Sequence, residues 1–176
     1  MVETQENIAL KKKTARLSII SNTFLVIAKL VIGLYVGAVS IISEAAHSAV
    51  DLLAAIIAYY AVRQSGKPPD EVHAYGHGKI ENLSGAIEAV LIIIAAIYII
   101  FESVQKLKVL QEPEYLELGI IVMFLSIIIN FVVSRRLLQV AKQTHSQALE
   151  ADGLHLQADI WTSVGVLLGL LAIKIT

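Results

Sequence analysis

The sequence predicts an all-α fold, a polytopic transmembrane helical bundle of five spans, and three observations carry that prediction. Hydrophobic residues make up 56% of the 176 residues and charged ones 16%, against about 45–50% and about 25% in soluble domains. The apolar residues gather in five runs, 17–39, 41–62, 83–101, 116–134 and 148–173, each close to the roughly 20 residues that cross a hydrocarbon core of about 30 Å. The basic residues lie mostly on one side of those runs. The runs lack both the charged face of a surface helix and the alternation of barrel strands, so they read as spanning helices.

The first run follows Lys11, Lys12, Lys13 and Arg16, but its length and the four runs after it set it apart from a signal peptide. Residues 1–16 are expected to form a cytoplasmic N-terminal segment and 17–176 the transmembrane domain. A cytoplasmic N-terminus puts those four residues, Arg63, Lys67 and Lys79, and Arg135, Arg136 and Lys142 inside. Only Lys106, Lys108 and Lys174 then lie outside, with Lys29 within the first span, as the positive-inside rule requires. Gly33 with Gly37 and Gly165 with Gly169 are small-xxx-small pairs that predict close helix packing, and Asn22 and Asn130 are expected to bond between helices.

Composition narrows the chemistry. A net charge of −1 leaves no basic face for nucleic acid. With no cysteine, any metal has to be held by nitrogen and oxygen. Neither H-E-x-x-H nor H-x-x-E-H occurs, so the expectation is not an enzyme.

The informative residues are ionisable groups inside the spans. The second span carries Glu44, His47 and Asp51, and the fifth His155 and Asp159. An Asp at mid-span costs roughly 2.5–3.5 kcal/mol, so such groups usually mark a site or a pathway. His47 and Asp51 are four apart, as are His155 and Asp159, so each pair shares one helix face. Counted from opposite surfaces, both pairs lie about 14 Å deep and meet at one level. Two imidazoles and two carboxylates make a tetrahedral N/O set suited to Zn²⁺, and a closed set of four leaves no position for a catalytic water. The alternative is a pair of internal hydrogen bonds that hold helices together. Glu44 is read as reaching the interface rather than lining a pathway. Glu88 in the third span is read either as a proton relay or as a partner of Lys29. Between the second and third spans, Asp70, His73 and His77 form a second candidate cluster, either a metal site or a solvated turn.

Three stretches carry a resemblance. Ser43 to Asp51, Tyr75 to Glu81 and Ala151 to Ser163, in this order, are similar to the cation diffusion facilitator family, and the likeness runs from about Lys13 onward. It implies efflux of a divalent transition metal, most of all zinc, from the cytoplasm across the cell membrane in exchange for protons, by a multi-pass homodimer. The family's transport site falls on His47, Asp51, His155 and Asp159, and Asp70, His73 and His77 match a loop zinc site of some members. Zn²⁺ is thereby implied as transported substrate and as the loop ion. A His at position 47 resembles zinc-preferring members. Tyr75 to Glu81 marks the family, and no chemical step is assigned to it beyond helix entry and dimer contact. The likeness covers the transmembrane domain without the sixth helix and the cytoplasmic C-terminal domain of the family. A non-transporting module that keeps the metal site as a structural staple is the competing reading.

Overall fold

The five apolar runs form the bodies of five helices. The computed structural model describes residues 4–37, 39–108 and 116–175. These comprise α1 (Gln5–Val36), α2 (Val39–Ser65), α3 (Lys79–Lys108), α4 (Leu116–Thr144) and α5 (Gln147–Ile175). α1 begins well before the first apolar run. Thr4 caps it by accepting the Asn7 N–H at 3.4 Å, and Ile8, Lys11, Ala15, Ser18 and Asn22, spaced three and four apart, are buried along one face. Residues 5–16 are thus the first turns of a packed helix.

Short corners join the helices into two hairpins. α1 ends at Gly37, whose φ of 75° is the left-handed cap conformation and whose N–H donates to the Gly33 carbonyl. α4 turns into α5 through His145 at φ 53° and Ser146. The Ser146 N–H donates to Ala141 O at 3.1 Å, and its hydroxyl accepts the Leu149 N–H at 3.4 Å. The broadest helix contacts are α1 on α2 and α4 on α5, and α3 packs on α2 and α5.

Close approach within the first hairpin depends on Gly33, where a Cβ would lie 2.8 Å from Ile42 Cγ1. Its sequence partner Gly37 serves the turn, and a Cβ there would meet nothing within 4 Å. A Cβ at Gly165 would also meet nothing, so that position packs on no other helix among the described residues. The surroundings of Gly169 lie outside the described residues.

One carboxylate fixes how the helices run. Glu81, at the start of α3, accepts from Lys11 Nζ of α1 at 2.6 Å and from Ser65 Oγ of α2 at 2.6 Å. Ser146 at the α4–α5 corner donates to its second oxygen. The start of α1, the end of α2, the start of α3 and the α4–α5 corner therefore lie at one end, so α1, α3 and α5 run parallel. The apolar core fills the same end, with Ala15, Val62, Leu137, Val140, Leu149 and Leu156 buried together.

Away from that end the usual arrangement inverts. Ile20, Phe24 and Val31 on α1, Val90, Ile94 and Ile97 on α3, and Phe124 and Phe131 on α4 are exposed, whereas Ser18, Asn22, Lys29, Asp51, Glu88, Asp152 and His155 are buried. Apolar surface outward and polar groups inward is stable where hydrocarbon is the solvent. Four helices contain stretches long and apolar enough to cross a membrane: Gln5–Val36, Ile41–Ser65, Lys79–Tyr98 and Glu117–Thr144. α5 is not among them on the described residues. Its first half carries Glu150, Asp152, His155 and Asp159.

The Glu81 junction is testable. Glu81→Ala removes the acceptor of a buried ammonium and of two hydroxyls, and is expected to cost about 3–5 kcal/mol. Thermal unfolding of the chain in detergent micelles measures this; an unchanged midpoint would show the junction to be energetically idle.

Candidate functional site

The site is built where the two hairpins meet. α2 presents His47 and Asp51 and α5 presents His155 and Asp159, each pair one turn apart on the face turned to the other helix. His155 Nε2 lies 3.2 Å from Asp51 Oδ1 and 3.7 Å from Asp159 Oδ2. His47 Nε2 is 3.9 Å from Asp159 Oδ1, and ligand atoms of His47, Asp51 and Asp159 all lie within 4.8 Å of one another. Donor atoms around a tetrahedral ion with bonds of about 2.0–2.1 Å sit about 3.3 Å apart. The three separations given lie near that value; His155 stands outside the group of three and meets it through Asp51 and Asp159. With neutral imidazoles the two carboxylates carry two negative charges, the complement of a divalent cation.

Burial gives the cluster a direction. Asp51, His155 and Asp159 are buried, whereas the side chain of His47 is 28% exposed. Below the cluster lie Leu156, the apolar core and the Glu81 junction; the opening is on the opposite side, toward the start of α2. One turn beyond His47, Glu44 accepts from Lys29 Nζ at 3.3 Å, and Lys29 also donates to Ser48 Oγ at 2.9 Å. Residues at similar distances from the Gly37 turn face each other across this hairpin, as Gly33 faces Ile42 and Arg16 reaches the Tyr59 hydroxyl at 3.3 Å. That register gives Lys29 to Glu44 and Ser48, and Glu88 is not its partner. Among the described residues, both amide atoms of Asn22 are without a hydrogen-bond partner, so its expected interhelical bond is not formed; of Asn130, Oδ1 is without one.

The second cluster stands in the loop between α2 and α3. Asp70 Oδ1 lies 3.0 Å from His73 Nδ1 and Asp70 Oδ2 3.2 Å from His77 Nε2, and the two imidazole rings are 4.4 Å apart. The backbone arranges this before any side chain does. The N–H groups of His73 and Val72 donate to Asp70 Oδ1 at 2.6 and 3.0 Å, an Asx turn. Gly76, at φ 80°, returns its N–H to His73 O at 2.9 Å. The His73 backbone N–H holds the Asp70 carboxyl below its usual range, with the His73 side chain adding to this. Asp70 is therefore an anion, and a competent ligand, throughout the neutral range.

With both clusters described, comparison with known proteins becomes specific. Residues 15–176 match the model of the cation efflux transmembrane domain. The chain belongs to the cation efflux family. This cation efflux domain is 35% identical over 140 residues to an uncharacterized transporter of Synechocystis sp., covering 80% of this chain and 45% of that protein. It is 30% identical over 170 residues to the cation-efflux pump FieF of Shewanella oneidensis, covering 97% of this chain and 57% of the pump. It is 29% identical over 172 residues to the manganese efflux system protein MneP of Bacillus subtilis, with 97% and 57% covered. The chain thus spans about half the length of the curated relatives it matches. It is a multi-pass membrane protein of a family of transporters, not enzymes.

Sequence reasoning missed several polar residues of the cation efflux domain. Glu81 and Lys11 meet across 70 positions, which no local pattern announces. Asp152 did carry a signal, because it lies three residues before His155 and so shares its face of α5.

The two clusters are independent and should titrate so. Zn²⁺ added to the chain in micelles is expected to fill two tight positions. His47→Ala with Asp159→Ala should remove one and Asp70→Ala the other, as read by equilibrium dialysis.

Proposed function

We propose that the chain exports a divalent transition metal, zinc above all, from the cytoplasm in exchange for protons. His47, Asp51, His155 and Asp159 are the transport ligands, and Asp70, His73 and His77 hold a second zinc ion at the cytoplasmic surface. The observation that carries this reading is the convergence of two imidazoles and two carboxylates from α2 and α5 inside the bundle. In this reading α5 is the fifth span, the N-terminus is cytoplasmic, and the opening at His47 faces outward. A second copy of the chain belongs to it as well, sharing the apolar faces of the bundle with lipid.

The relatives named above include a cation-efflux pump and a manganese efflux system protein, so family membership leaves the metal open. The donor set favours zinc. Manganese and magnesium prefer six oxygens, whereas two imidazoles in a four-fold set suit Zn²⁺. Protons enter through the same ligands. Imidazole binds metal only when neutral and carboxylate only when ionised, so protons arriving from the outer side displace the ion, and its loss to that side releases the bundle to close.

Proteoliposomes test the exchange. Zinc influx accompanied by proton movement in the opposite direction is expected, abolished by Asp51→Asn or Asp159→Asn; zinc flux without proton movement would sink the antiport. Zinc bound with no flux at all would assign the cluster to a structural staple instead. His47→Asp is expected to broaden transport toward Mn²⁺ and Cd²⁺, and an unchanged preference would remove His47 from the selectivity argument.

A further inference from the structure

Two carboxylates inside the bundle belong to neither cluster. Glu88 of α3 and Asp152 of α5 are both 0% exposed. Ser84 Oγ donates to Glu88 Oε1 at 3.1 Å, but Glu88 Oε2 and both oxygens of Asp152 have no hydrogen-bond partner among the described residues. On α1, the Ser18 hydroxyl and the Asn22 amide are equally without partners, and both are buried.

These groups are neighbours. A Cβ on Gly85 of α3 would lie 3.6 Å from Ala151 Cβ of α5. The two helices run parallel, so Glu88, one turn past Gly85, comes level with the Asp152 to His155 stretch. Glu88 and Asp152 are within electrostatic range of each other. Asp152 is turned toward Ser18, and Asn22 lies one turn further along the same face of α1.

A fully buried carboxylate with a single hydroxyl beside it, Ser84 for Glu88 and Ser18 for Asp152, is a costly thing to bury, and two side by side repel as well. The buried ammonium groups do not relieve them: Lys11 is engaged with Glu81, and Lys29 with Glu44 and Ser48. Glu88 Oε2 and the Asp152 carboxylate, with the Ser18 hydroxyl beside the latter and no thiolate in the chain, make a hard oxygen set. Such a set matches a divalent cation that keeps some of its water and prefers oxygen ligands.

We infer that Glu88 and Asp152 form a further divalent-cation station inside the bundle, on the Glu81 side of the four-residue cluster. Along α5, Asp152 precedes Asp159 by about 10 Å of helix rise, so an ion held here is one step from the His155 and Asp159 ligands. The station is sealed below by the apolar core and the Glu81 junction, as suits a position loaded from that side before the bundle opens on the other. Its place on an ion path rests on the export reading; cation binding does not.

The test uses Mn²⁺, an oxygen-preferring ion with a paramagnetic signal. The chain carrying Asp51→Ala, Asp159→Ala and Asp70→Ala lacks both His-containing clusters. In micelles it is expected to bind one Mn²⁺, read by electron paramagnetic resonance, and to gain several degrees in unfolding midpoint. Glu88→Gln with Asp152→Asn added should abolish both effects. No Mn²⁺ bound before that addition, or equal binding after it, overturns the proposal. If the combined variant does not fold, each single change decides: each should weaken Mn²⁺ binding about tenfold or more through lost ligand charge, and unchanged affinity overturns the station. In the otherwise native chain, Glu88→Gln with Asp152→Asn should slow zinc uptake while zinc still binds at His47 and Asp159. Native chain that moves no zinc, yet holds Mn²⁺ at Glu88 and Asp152, would overturn the export reading and support this one.

Discussion

A charged side chain in a low-dielectric interior has to find its complement within that interior, and the meeting points of these helices follow from this. In hydrocarbon, apolar packing scarcely distinguishes one greasy face from another. Polar contacts do. Glu81 gathers Lys11, Ser65 and Ser146, Lys29 reaches Glu44 and Ser48, and His155 faces Asp51 and Asp159. All of these contacts except that of His155 with Asp159, which lies within α5, join different segments and set their register, while the leucines and valines between them fill space.

The same contacts give the bundle two unlike ends. At the Glu81 end, buried apolar side chains pack around a carboxylate that already accepts from three donors. At the other end, His47 is partly exposed and Glu44 stands beside it, held by Lys29. In the export reading, an ion held by the four side chains would therefore leave toward His47 more readily than toward Glu81 in this arrangement. Asp51, His155 and Asp159 form the floor of the cluster and His47 its rim.

What could be read from the sequence was whatever is local along the chain. Five apolar runs became five helices because hydropathy over about 20 residues is a local sum. His47 with Asp51 and His155 with Asp159 could be paired because a four-residue spacing defines a helix face. Helix ends were less legible, since hydropathy marks where hydrocarbon begins and not where the hydrogen-bond ladder stops; α1 starts at Gln5 rather than at Leu17. Lys11 read as one more cytoplasmic charge, because nothing nearby in sequence says that a carboxylate 70 positions on will bury it. The partner of Lys29 could have been found from the tight turn at Gly37, which sets the register of the first hairpin. The Asx turn at Asp70 shows the converse: there the cluster and its support both lie within a few residues, and the sequence displayed all of it except which atoms meet.

The short corners at Gly37 and His145 have a mechanical consequence. Each ties two long helices into a stiff hairpin, α1 with α2 and α4 with α5, and each hairpin contributes one His/Asp pair to the cluster. The four side chains therefore sit across the seam between the two hairpins and not inside either. A slide of one hairpin past the other by a single ångström would leave both hairpins intact while pulling the tetrahedron out of shape. In the export reading, ion affinity thus becomes a gauge of the seam, and an ion in place the pin that holds it.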